Sequence, residues 1–181
     1  MKIFLIIAIV VLGGLVILAL VAPKTYKVVR RIVVNQPNDI VFAYVRSLKS
    51  QNDWSVWGKM DPNVVNTYTG TDGQVGFVSA WEGNKAVGKG EQEIMKITVG
   101  SRVDIELRFV KPFKSEAKVY LSTNALSAEQ TEVEWGMTGN TPFPMNLFLL
   151  FANMDKAIGK DFEKGLSNLK AILENHPQNP S

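Results

Sequence analysis

Residues 102–110 read RVDIELRFV, and the alternation in this stretch decides the fold. Val103, Ile105, Leu107 and Phe109 fall on one side of an extended chain, and Asp104, Glu106 and Arg108 fall on the other. A period of two marks a strand with one dry face and one wet face. Such strands belong to antiparallel sheets, because a parallel sheet buries both of its faces. The pattern recurs on either side. Residues 116–123 put Ala117, Val119 and Leu121 on one face, and residues 131–138 put Val133, Trp135 and Met137 inside with Glu132 and Glu134 outside. Toward the N-terminus, residues 75–82 align Val75, Phe77, Ser79 and Trp81, and Gly83-Asn84 is a turn signal. Residues 86–98 read as a long strand in which Gly88 and Gly90 hint at a bulge or bend. Residues 64–69 and the β-branched run 26–34 (YKVVRRIVV) complete the set.

A sheet with one apolar face needs a cover. Residues 145–173 supply one, with Leu147, Leu150, Phe151, Met154, Ile158, Phe162, Leu166, Leu169 and Leu173 at helical spacing and Gly159 and Gly165 as points of bending. Between the first strand and the others, Pro37 and Asp39 are helix-start signals for a short helix over 40–48. Gln51-Asn52-Asp53 interrupts that helix, and a second helical turn is expected over 54–57, ended by Gly58 and Asp61-Pro62. The expected fold class is therefore α+β: a curved antiparallel sheet wrapped round a long C-terminal helix. Such a wrap leaves a space between sheet and helix, which is the natural ligand site.

Residues 3–22 (IFLIIAIVVLGGLVILALVA) carry no charged side chain. At about 1.5 Å per residue, roughly 20 residues span a hydrocarbon core of ~30 Å. The run is longer than the apolar part of a cleaved signal peptide, and Leu20 spoils a small-x-small site before Ala22. The reading is an uncleaved single-pass transmembrane anchor. Lys24, Lys27, Arg30 and Arg31 follow the span, whereas only Lys2 and the amino terminus precede it, which predicts a cytoplasmic domain. Solvent-facing strand positions are the alternative explanation for the two arginines. The domain organisation is an anchor at 1–23, one folded domain at 24–175 and a disordered tail at 176–181. No repeat or second domain is evident.

The composition excludes several chemistries. Of 181 residues, 46% are hydrophobic, as in a globular protein. There is no cysteine, which removes disulfides, thiolate catalysis and Cys-ligated metal sites. The one histidine, His176, lies in the polar tail, so the commonest general base and metal ligand is missing from the body of the chain. Neither a metal nor an organic cofactor is implied. A net charge of +3, partly beside the apolar N-terminus, suits a membrane surface and not nucleic acid.

The chain resembles the START and birch-allergen-like superfamily with the helix-grip fold, and most closely its polyketide cyclase/dehydrase (SRPBCC) branch. The resemblance is carried by RRIVVNQPNDIVFAYVRSL at 30–48, DWSVW at 53–57, VGFVSAWEGNKAVGKGEQEI at 75–94, RVDIELRF at 102–109 and KGLSNLKAIL at 164–173. It implies a cavity for an apolar or amphipathic small molecule but no particular reaction. The metal-bearing relatives need histidine ligands, which this chain lacks.

Candidate ligand contacts are the inward aromatics and methionine of the strands, Phe77, Trp81, Phe109, Trp135 and Met137, together with Phe143, Leu147, Phe151 and Met154 on the last helix. The same residues would also make an ordinary core. Trp54 and Trp57 read as a packing plug, with a lid over the cavity as the alternative. Lys89, Glu91 and Glu93 share parity with Met95 and Ile97. If that parity holds they point inward, and Glu91, Glu93 and the neighbouring Tyr68 are the candidate catalytic groups, with Tyr68 and Asn66 as candidate polar contacts; a bulge at Gly88 or Gly90 would instead turn the charged groups to solvent, which is the expected outcome. The apolar run FPMNLFLLF at 143–151 would be core or would dip toward the membrane. Three functions follow: binding of a hydrophobic or lipid-like molecule, a cyclase/dehydratase using a buried carboxylate or tyrosine, and a protein–protein module of the cell envelope. The oligomeric state is unknown.

Overall fold

In the computed structural model, which describes residues 2–175, the alternating segments join into one seven-stranded antiparallel sheet. The strands are β1 (Thr25–Val34), β2 (Val65–Thr69), β3 (Val78–Glu82), β4 (Lys89–Thr98), β5 (Arg102–Lys111), β6 (Ser115–Ser127) and β7 (Gln130–Asn140), in the spatial order β1-β7-β6-β5-β4-β3-β2. Helix α1 (Lys2–Val21) precedes the sheet, α2 (Asn38–Val45) and α3 (Gln51–Trp54) follow β1, and α4 (Met154–Asn175) ends the described chain. His176 and the tail at 176–181 lie outside the described residues.

Helix α4 lies along β1 on the concave side of the sheet. Arg30 fastens its first half: the guanidinium bonds Asp155 at 2.8 Å and Glu163 at 2.6 Å. Gly159 makes room for it, because a Cβ there would collide with the Arg30 head. Farther along, the Lys170 ammonium donates to Val33 O at 2.8 Å and Gln36 Nε2 to Leu173 O at 3.0 Å. Arg31 points to the convex side and pairs with Glu134 on β7. Arg31 is thus a solvent-facing strand residue, whereas Arg30 is turned inward to hold α4.

The expected helix over 145–173 is two pieces. Met145–Leu150 is a 3-10 turn, and α4 starts at Met154. Asn153 is the reason for the restart: its Oδ1 accepts the Lys156 N–H at 2.9 Å and its carbonyl accepts Ala157 N–H, which is an N-cap. Asn146 is turned away from the sheet. Its Nδ2 donates to Ala19 O at 2.7 Å and Ala22 O at 3.1 Å, the unpaired carbonyls at the end of α1.

Other boundaries also move. The helix expected over 40–48 occupies Asn38–Val45, because the Ser50 hydroxyl takes the carbonyls of Tyr44 and Ser47 and Asp72 takes the Leu48 N–H. β4 begins at Lys89 and not at 86, because residues 83–88 close on themselves: Gly83 N–H bonds Gly88 O, and Asn84 accepts from Ala86 and Val87. Gly88 sits at φ +68°, where a side chain would be strained. β3 starts at Val78, three residues later than expected.

The register gives the sheet two ends. At the near end, beside α1, lie the start of β1, the end of β7 and the turns β5–β6 and β3–β4. The far half of the concave face is filled. Val34, Ile94, Val103, Leu121 and Val133 meet Val41 and Val45 of α2 and Leu166, Leu169 and Leu173 of α4, all buried.

A candidate ligand cavity

The near half of the same face is hollow. It holds a cavity of about 360 Å³, within the range of small-molecule sites. Its apolar wall is Trp81, Leu107, Phe109, Val119, Trp135 and Met137 from the sheet, with Met154, Ile158 and Phe162 from α4. Trp135 marks the border between hollow and filled. It stacks on Phe162 at 3.9 Å and meets the edges of Trp54 at 4.8 Å and Trp57 at 5.8 Å. Trp54 is wholly buried and plugs this border, while Trp57 reaches the cavity wall. Trp81 lies across Gly90, where a Cβ would strike its ring, and donates its indole N–H to Val87 O at 3.2 Å.

The polar part of the lining is uncharged. Gln51, Asn52 and Ser55 come from α3 and the residue after it; Asn66, Ser79 and Gln92 come from β2, β3 and β4. Among the described residues, no Asp, Glu, Lys or Arg lines the cavity. The ionisable lining group is Tyr26, whose phenol burial pushes up, so it stays protonated near neutral pH. Two lining side chains are buried with an N–H that meets no acceptor among the described residues: Gln51 Nε2, in a residue 6% exposed, and Trp135 Nε1, in a residue 4% exposed. A buried donor without a partner is costly; both N–H groups lie behind the cavity surface and present no area to it.

Of the contacts expected from the sequence, Trp81, Phe109, Trp135, Met137 and Met154 line the cavity. Phe77 does not; it is buried and stacks on Tyr68 at 6.0 Å. Phe143, Leu147 and Phe151 do not either, because the helix expected there is the 3-10 turn drawn toward α1. Glu91 and Glu93 lie on the convex face, bonded to Arg108 at 2.7 Å and 2.6 Å beside Glu106. The cause is a bulge, at Met95 and not at the expected Gly88 or Gly90: Ile94 pairs with Ile105 but Lys96 pairs with Asp104, so Met95 is an extra residue. The parity of Ile97 therefore does not carry back past Met95, and Gln92 faces in where Glu91 and Glu93 face out. Tyr68 is also outside the lining; its hydroxyl accepts from Asn52 Nδ2 at 3.0 Å. Sequence reading missed Gln92, hidden by that bulge, and Gln51 and Asn52, which read as an interruption between helices. It also missed Tyr26, whose ring lies over Gly139 at the near end. A glycine opposite an aromatic on neighbouring strands was the signal available.

This geometry agrees with the comparisons to known proteins. Residues 25–174 match the family described as polyketide cyclase / dehydrase and lipid transport, and the chain belongs to that family. Among solved structures, norcoclaurine synthase from Thalictrum flavum, in complex with dopamine and hydroxybenzaldehyde, superposes with a TM-score of 0.65 at 7% identity, over 90% of this chain and 94% of the other. A protein from Chromobacterium violaceum gives 0.56 at 16% identity, over 84% and 98%. CalU16 from Micromonospora echinospora gives 0.56 at 16% identity, over 87% and 78%. These likenesses establish the helix-grip fold. No match was found among curated proteins.

Proposed function

We propose that this protein holds a neutral, largely apolar molecule bearing an oxygen acceptor, such as an ester or ketone, in a domain tethered to a membrane. The carrying observation is the lining: an apolar wall, a cluster of uncharged polar groups and, among the described residues, no charged side chain. A carboxylate or ammonium in this space would lose its hydration with no counter-charge to replace it. A carbonyl or ester oxygen would accept from the side-chain donors of Asn66, Ser79 or Gln92 and leave the rest of the ligand against Phe109, Met137 and Phe162. The family's description, which includes lipid transport, supports the same class of ligand. The tether reading rests on α1, 20 residues long with a mean hydropathy of 3.3 and with its large apolar side chains exposed. Lys24 and Lys27 just after it favour a cytoplasmic domain. Tethering keeps the cavity where apolar molecules concentrate. The cyclase/dehydratase alternative loses the two carboxylates named for it, since Glu91 and Glu93 serve Arg108 on the convex face.

Three tryptophans in the lining, Trp57, Trp81 and Trp135, supply the test. The full chain in phosphatidylcholine nanodiscs is titrated with a dibrominated alkyl methyl ester and, separately, with the matching free carboxylate at neutral pH. The expected result is saturable quenching by the ester, at least ten-fold tighter than by the acid, and weakened in Val119→Phe. Equal or tighter quenching by the acid contradicts the neutral-ligand reading. Quenching unchanged in Val119→Phe contradicts the cavity.

A further inference from the structure

The two ends of the sheet differ in their connections. At the near end the segments are 22–24, 60–64, 83–88, 112–114 and 141–153. They carry Lys24, Lys85 and Lys114 and one acid, Asp61, which is buried and accepts the N–H groups of Asn63 and Asn84. They also expose Phe113 at 73%, Phe151 at 86%, and Phe143, Met145, Phe148 and Leu150 to a lesser degree. At the far end the hairpin turns are 70–77, 99–101 and 128–129, with Asp72 and Glu129 and no Lys or Arg. Exposed aromatics ringed by lysines suit an interfacial surface, and acids do not.

The position of the apolar turn is fixed relative to α1. Asn146 is fully buried, and its two hydrogen bonds end on Ala19 O, in the last turn of the apolar helix, and on Ala22 O just after it. Ala19 and Ala22 are themselves buried by this contact region. If α1 crosses a bilayer, its last turn lies at the boundary between hydrocarbon and headgroups. Phe148, Leu150 and Phe151 are then held at that depth and cannot be lifted into water without breaking the Asn146 contacts. Met154 and Ile158, which follow at once in α4, line the cavity. The turn is therefore continuous with the cavity wall.

We infer that the near end is seated in an anionic bilayer leaflet, with the apolar turn at 141–153 and Phe113 inserted and the lysines on the headgroups, so that the cavity exchanges its ligand directly with lipid. This rests on reading α1 as a membrane span. The absence of native cysteine gives a clean test. Leu12→Cys, Phe113→Cys, Phe148→Cys and Val99→Cys are each made in the full chain, spin-labelled, and placed in nanodiscs of phosphatidylcholine and phosphatidylglycerol. Accessibility to oxygen and to a water-soluble nickel chelate is then read. The expected result is that labels at 12, 113 and 148 are shielded from nickel at least three-fold more than the label at 99 on the far turn. Omitting phosphatidylglycerol should raise nickel access at 113. If 12 is in lipid and 113 and 148 match 99, the inference is overturned while the anchor stands. If 12 is also open to nickel, the anchor reading falls and the inference with it. If 113 is indifferent to phosphatidylglycerol, the role given to the lysines is overturned.

Discussion

The two halves of the concave face are built from the same strands and the same alternation, yet one is filled and the other is hollow. In the far half, Leu121 of β6 is fully buried beneath α2 and α4. In the near half, Leu107 of the adjacent β5 faces open space. The difference comes from what lies opposite. The apolar side chains of α2 and the C-terminal half of α4 reach the far half, while the chain between β7 and α4 swings away to α1 through Asn146. Removing that one stretch of cover leaves the space. An inward apolar residue is thus core or cavity wall according to its partner, and not according to its own identity.

That contrast is breakable by mutation. The largest effect is expected at the border, where Trp135→Ala removes contacts with Phe162, Trp54 and Trp57 and should cost about 3–5 kcal/mol in chemical denaturation. Next, Leu121→Ala should cost about 2–5 kcal/mol, because the cavity it leaves adds to the lost transfer energy. Leu107→Ala should cost at least about 1 kcal/mol less, since its side chain already has fewer neighbours to lose. Equal losses for the two leucines would mean that both halves are packed alike. Growth should show the reverse asymmetry. Val133→Phe in the far half should cost about 1–3 kcal/mol by overpacking, while Val119→Phe should be tolerated within about 1 kcal/mol and should reduce ligand binding.

The convex face should stand apart from both. Glu91→Gln and Glu93→Gln should leave binding unchanged, and a loss of turnover or binding would return these groups to the cavity. The Tyr120 hydroxyl and the Arg31 guanidinium hold Glu134 below the usual carboxylate range. Its folded value is the lower one, so its contribution to stability is present above the ordinary value near 4.5 and is lost as pH falls through the lowered value. Acid titration of Glu134→Gln should therefore show a shallower acid limb with unaltered ligand occupancy. This is the smallest of the expected effects.

Much of the sheet was legible because alternation at 102–110, 116–123 and 131–138 is uninterrupted, and side-chain direction follows from a period of two. Legibility failed wherever one residue broke that count. Met95 is such a residue, and it hid Gln92 while making Glu91 and Glu93 look inward. The helix at 145–173 was over-read because apolar spacing cannot register a cap at Asn153 or a side chain such as Asn146 committed to another helix. The cavity itself could only be suspected, since Phe77 and Phe109 look alike in sequence and differ in what stands across from them. Gln51 and Asn52 were invisible as lining, because short polar helices carry no periodic signal.

The most direct test is to purify the full chain and its Val119→Phe variant side by side from the same membranes and compare their organic extracts by mass spectrometry. A neutral apolar molecule near one per chain is expected in the native protein, with most of it lost in the variant and both proteins folded. An empty native protein after exposure to membrane lipids, or equal occupancy in the filled variant, would contradict binding in this cavity.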